Sequence, residues 1–208
     1  AYNKFATENV STLDYLLQGP AGGSLSDATA IGNFLINIVE ERRDCMCFLS
    51  PPRSYVLGQA DSEKVTNNLE LWADALSSSS YAVFDSGYKY TFDRFNDVYR
   101  YIPLNGDTAG TLVFTSIEAE PYYSPAGVSR GQIRNVVKLP YNPAKSQRDI
   151  LYAARINPVV TFPGEGTVLF GDKTALGYSS AFDRINVRRL FLIVEKEVAE
   201  ISRVNLFE

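Results

Sequence analysis

Residues 24–52 read SLSDATAIGNFLINIVEERRDCMCFLSPP, and the class of the fold is decided there. Ser24 and Ser26 are both of the type that caps a helix N-terminus. Ile31, Phe34, Leu35, Ile38 and Val39 then recur at helical spacing, and the pattern stops at Glu41, Arg42 and Arg43. Residues 45–49 are continuously apolar and are closed by Ser50, Pro51 and Pro52, which predicts a buried strand. The same order of signals then repeats. Asp61, Ser62 and Glu63 open a second helix carrying Val65, Leu69, Trp72, Ala73 and Leu76, and the serines at 77–80 end it. Tyr81, Ala82, Val83 and Phe84 form another short apolar run. Helix, strand, helix, strand over residues 24–85 argues for an α/β fold, with a mixed or mostly parallel sheet flanked by helices. An α+β arrangement is the alternative.

Outward from this core the signals are weaker. Residues 1–23 have no strong periodicity and end in the loop sequence GPAGG at 19–23. Tyr88, Tyr90 and Phe92 alternate with polar residues, so a further extended segment is expected. Asn105-Gly106 predicts a turn, and Asp107 the cap of a helix that reaches about Ile117. Residues 121–143 are rich in Pro, Gly, Asn and Ser. They predict a long irregular connection, of a kind that either packs on the core or presents a surface. Residues 144–156 read as a helix with Ile150, Leu151 and Ala154 on one face. Residues 159–162 and 167–170 read as strands around Pro163-Gly164-Glu165-Gly166. Residues 180 to about 204 read as one long helix of roughly 35 Å. No internal repeat or low-complexity tract is apparent.

Composition excludes several classes. The chain has 208 residues, enough for one large domain. It is 45% hydrophobic and 21% charged, which is ordinary for a globular protein. No stretch has the roughly 20 consecutive apolar residues of a membrane helix, so no stable membrane insertion is expected. The net charge is −4, from 20 basic and 24 acidic residues, which argues against direct nucleic-acid binding. Histidine is absent, which removes histidine triads, histidine metal ligands and the usual general base near neutral pH. Cys45 and Cys47 alternate along a strand, so they point to opposite faces and are poorly placed to bridge each other. A lone C-x-C offers too few ligands for a structural zinc. No catalytic, cofactor or metal site is expected.

The strongest enzyme-like signal is Gly166-Thr-Val-Leu-Phe-Gly171-Asp172-Lys173-Thr174. It approximates G-x-x-x-x-G-K-[ST] with Asp172 inserted before the lysine, which places a carboxylate where a phosphate would sit. The plainer reading is a strand that ends in a polar turn, with Asp172 and Lys173 holding the loop or facing a neighbour. Carboxylates between Asp93 and Glu120 cannot be paired around a substrate from spacing alone. Arg184, Arg188 and Arg189 fall in the first half of the expected last helix, and Glu195, Glu197 and Glu200 in the second. This charge order opposes the helix dipole, so partners outside the helix are expected for both ends.

Four blocks of sequence resemble the tail sheath proteins of contractile-tailed bacteriophages (myoviruses). They are DSGYKYTFDRFNDVYRYIPLNGDTAG at 85–110, SPAGVSRGQI at 124–133, INPVVTFPGEGTVLFGDKTAL at 156–176 and SAFDRINVRRLF at 180–191. The pattern of 25–52 is similar as well, so the resemblance covers most of residues 13–195. It implies a structural subunit and no enzyme. Such subunits stack as six-membered rings around a tail tube, and contract to drive the tube through the host envelope for DNA delivery. The implied partners are other copies of the chain, the tail tube protein, and baseplate and tail terminator proteins. The implied location is the virion tail, assembled in the host cytoplasm. Residues 1–175 are then expected to be the sheath core, including part of a peripheral insertion, and 176–208 the start of the C-terminal sheath domain. The chain begins without Met at Ala1 and stops at Leu206-Phe207-Glu208 without a stop signal, so it reads as a piece of a longer protein. Arg184, Arg188, Arg189, Glu195, Asp172 and Lys173 are the expected subunit-contact residues.

Three alternatives stand beside this. The chain could belong to the sheath of a phage-tail-like particle, a bacteriocin or a secretion system. It could be an α/β enzyme that holds a phosphorylated ligand at residues 164–174. Its 13 tyrosines alone would also suit a monomeric host-binding module.

Overall fold

The computed structural model describes residues 2–6 and 13–204. In chain order its elements are β1 (Tyr15–Leu17), α1 (Leu25–Arg42), β2 (Met46–Leu49), α2 (Arg53–Val56), α3 (Ser62–Asp74), β3 (Ala82–Asp85), β4 (Tyr88–Asp93) and β5 (Val98–Pro103). Then follow α4 (Asn105–Glu118), α5 (Lys145–Ala153), β6 (Ile156–Asn157), β7 (Val159–Phe162), β8 (Gly166–Leu169) and α6 (Ile185–Val204). Ala1 and Leu206-Phe207-Glu208, read above as cut ends, lie outside the described residues.

The central sheet is parallel throughout, in the order β1-β2-β3-β6. Leu16 pairs with Cys47, Phe48 with Val83, and Phe84 with Ile156. β2 and β3 are buried along their whole length, as strands covered on both faces must be. Cys45 and Cys47 are free thiols inside this core. α1 begins where Ser24 accepts the Asp27 amide, and ends where Arg43 turns left-handed and donates its N–H to the Val39 carbonyl. α3 starts the same way, with the Asp61 carboxylate accepting the Glu63 amide. Its Trp72 is fully buried, with its ring 5.2 Å from that of Phe84.

β4 and β5 form an antiparallel hairpin that leaves the C-terminal end of β3. Its turn is at 94–97, where the Asp93 carboxylate accepts the amides of Phe95 and Asn96 and Asp97 is left-handed. β7 and β8 form a second hairpin. The irregular residues 121–143 join the two hairpins and pack on both. Leu169 donates to the Gly131 carbonyl at 2.7 Å, and Ile133 donates to Thr167. Tyr90 and residues 137–138 exchange two further bonds.

The structure corrects four expectations. The helix read over 144–156 stops at Ala153, and Ile156 and Asn157 instead form β6, because they pair with β3 in the central sheet. Asn105-Gly106 is not a turn but the first turn of α4. The Asn105 amide group donates to the Gly19 carbonyl and the Ser50 hydroxyl, so tertiary bonds override the local turn preference. Asp107 does not cap α4. It lies within the first turn and pairs with Lys89 at 2.7 Å. Arg184 is not in the last helix. Residues 181–183 form a 3-10 turn capped by Ser180, and Arg184 is extended and bridges Lys173 before α6 begins. β1 was not expected at all.

Candidate assembly surface

α6 crosses the N-terminal ends of the parallel strands, and its Arg188, Arg189 and Lys196 are held within the chain. Arg188 is 7% exposed. Its guanidinium lies between two rings, 4.2 Å from that of Tyr81 and 3.9 Å from that of Phe182, and donates to the Ser80 hydroxyl at 2.6 Å. A desolvated cation–π stack of this kind contributes about 2 kcal/mol. Arg189 donates to the Leu112 carbonyl of α4 and lies over the Tyr15 ring. Lys196 reaches the Leu13 carbonyl and the Asp14 carboxylate. The inward positions Ile185 and Leu192 belong to the main hydrophobic core. Glu195 points outward and is exposed.

Ahead of α6, Arg184 pairs with Asp172 at 2.6 Å. The Asp172 carboxylate also accepts the Tyr152 and Ser124 hydroxyls at 3.0 Å each. Burial first, and then the neighbouring Asp172 charge, push the Tyr152 hydroxyl up to about 12, so it stays a donor. Lys173 donates to the Tyr152 carbonyl and sits 4.4 Å above its ring. Asp172, Lys173 and Arg184 are therefore brought together, about the single side chain of Tyr152. Arg188, Arg189 and Glu195 lie further along the chain on α6, where the Arg188 N–H donates to the Arg184 carbonyl.

The same geometry bears on residues 164–174. Residues 166–169 are strand β8, and irregular chain, not a helix, directly follows them over residues 170–180. The amides that a phosphate loop would present are spent inside the chain. Phe170 donates to Pro158, Lys173 to the Asn157 side chain and Thr174 to Asp183. A Cβ added at Gly171 would come 2.8 Å from the Asn157 side-chain oxygen, so this glycine serves close packing and not an anion. Beside it a cleft of about 560 Å³ is lined by Lys145, Arg148, Tyr152, Phe170 and Asp172. Arg148 lies over both Phe162 and Phe170 there. Among the described residues no group of three or more His, Cys, Asp or Glu is placed to hold a metal. Among the described residues no helix is long and apolar enough to cross a membrane.

A polar cluster that sequence reading missed lies at the C-terminal ends of the strands. Asp85 is 1% exposed; its carboxylate accepts the Ser50 hydroxyl at 2.6 Å and the Gly87 amide at 2.8 Å. Ser50 in turn accepts both the backbone and side-chain amides of Asn105. Burial pushes the Asp85 carboxyl up to about 8, against the opposing pull of these two donors. The only signal in the sequence was an acid at the end of an apolar run.

These groups fasten elements together. The chain is 41% identical over 201 residues to the tail sheath protein of Vibrio phage KVP40, covering 90% of this chain. It is 40% identical over 218 residues to the tail sheath protein of Enterobacteria phage T4, covering all of this chain. The chain belongs to the tail sheath protein family. It spans 30% and 33% of the lengths of those two relatives. No protein-family model matches it. The sheath fold is also seen in the helical sheath of the anti-feeding prophage in its contracted state. That match has a TM-score of 0.66 at 20% identity and covers 88% of this chain and 45% of that one. These sheath relatives are structural proteins, and sheath proteins are components of contractile tails.

Proposed function

We propose that this chain is part of a contractile phage tail sheath subunit that assembles with copies of itself as stacked six-membered rings around a tail tube. Contraction of that polymer drives the tube through the host envelope so that DNA is delivered. The observation that carries this reading is 40% identity along the whole chain to phage tail sheath proteins. Its partners are other subunits, the tube, the baseplate and the tail terminator, and assembly takes place in the host cytoplasm. The work of contraction comes from the free-energy difference between two packings of one chain, so no nucleotide is needed.

Residues 1–175 make the sheath core, and 176–208 lead from it towards the C-terminal sheath domain, anchored through Ile185 and Leu192. In this reading Asp172, Lys173, Arg184 and Glu195 contribute to the contact between neighbouring subunits. Arg188 and Arg189 support the same contact from behind by fixing α6 to the sheet. A second reading, the sheath of a phage-tail-like injection particle, draws on the fold match to the anti-feeding prophage sheath. The twofold higher identity to phage proteins favours the first.

Electron microscopy of a whole sheath protein carrying this sequence tests the proposal. Long hollow tubes with a helical repeat are the expected result. Uniform small particles at every concentration and salt would limit the likeness to the fold.

A further inference from the structure

α6 carries apolar residues on two faces. Ile185 and Leu192 face inward, and Leu192 is 6% exposed. Phe191, Val194 and Val198 follow the i, i+3, i+4 spacing of a second face, and are 43, 47 and 55% exposed. At 3.6 residues per turn, Val194 lies about 200° round the helix from Leu192. Glu195 and Glu197 flank this outer stripe, while Lys196 is tied to Asp14. Such a helix wants cover on both sides, and here one side has it.

The tip of the β4–β5 hairpin is the complement. Phe95 is 85% exposed, and the Arg94 guanidinium lies 5.0 Å over its ring. Val98 and Tyr99 are exposed beside it. On this hairpin and the connecting segment that bonds to it, Arg94, Arg100, Arg134 and Lys138 outnumber Asp93 and Asp97. The two patches sit at opposite ends of the sheet. The hairpin leaves the C-terminal end of β3. α6 meets Ser80, just before β3, and Asp14, just before β1. Complementary patches at opposite ends form a head-to-tail contact, which builds an open row of subunits and not a closed dimer.

We propose that the β4–β5 tip of one copy docks on the outer stripe of α6 in the next, with Phe95 and Val98 against Val194 and Val198, and Arg94 against Glu197. The proposal rests on the self-assembly reading above. The test uses a whole sheath protein carrying this sequence. Arg94→Glu and Glu197→Lys each raise the concentration needed for assembly about tenfold, and each leaves the circular dichroism spectrum unchanged. An equimolar mixture of the two variants assembles again, because its mixed contacts restore opposite charges. Variants that assemble like the unaltered protein overturn the docking proposal alone. A mixture as poor as either variant also overturns it, and points to another part of the subunit or the tube as the cover of α6. Failure of the unaltered protein to assemble overturns the self-assembly reading and this proposal with it.

Discussion

Asp85 shows what one buried acid does to the whole energy balance. Its carboxyl titrates near pH 8 in the fold and near 3.8 when unfolded. Between those values the folded state holds a proton that the unfolded state releases. Its contribution to stability is therefore full below about pH 4 and is lost as the pH rises through 8. We expect the thermal midpoint of the chain to fall across pH 5 to 8.5, and Asp85→Asn to flatten that slope, both read by scanning calorimetry. An unchanged slope in the variant would place the dependence elsewhere. Little of this was visible beforehand. An aspartate after Tyr-Ala-Val-Phe reads as a polar strand end, because its partners Ser50 and Gly87 are set by tertiary contact. Arg188 is similar. Its charge is plain in the sequence, but Tyr81 lies 107 positions away and no spacing rule links them.

Among the elements, those with long periodic patterns were legible. α1, β2, α3 and β3 fall where apolar spacing and capping residues put them, because local propensity and burial agree there. β1 was not legible, since three residues carry no period and the strand exists only because it pairs with β2. The connection at 121–143 was recognised as irregular, but its docking was not. That docking depends on Gly131, where an added Cβ would meet the Leu169 carbonyl at 2.7 Å and Gly127 backbone atoms at 2.8 Å. Backbone cannot move aside as a side-chain tip can. We expect Gly131→Ala to cost about 2 kcal/mol in urea denaturation and to speed proteolysis within 121–143, while β2 and β3 keep their hydrogen-exchange protection.

For the whole molecule, α6 is joined to the core at one end and overhangs it at the other. Ile185 and Leu192 share a buried cluster with Trp72 and Phe84. We therefore expect Trp72 fluorescence and helical circular dichroism to report the same urea midpoint, within about 0.3 M, for a single cooperative unit. An earlier loss of helix signal would mean that α6 unfolds by itself. The site was partly legible at this scale. The opposed charges of residues 184–200 were plain, but which of them turn inward was not, because that depends on aromatic faces from distant segments.

Those aromatic faces have a practical corollary. The two arginines at the start of α6 rest on ring systems and a backbone carbonyl: Arg188 on Tyr81 and Phe182, and Arg189 on Tyr15 and Leu112. Dissolved ions penetrate poorly to such places, while they reach the outward glutamates freely. Within the chain, ionic strength thus acts on the exposed pairs Lys196–Asp14 and Arg184–Asp172 and hardly on these cations. We expect concentrated salt to loosen the proposed contacts between subunits while these buried cation–ring contacts stay in place, read by light scattering beside circular dichroism.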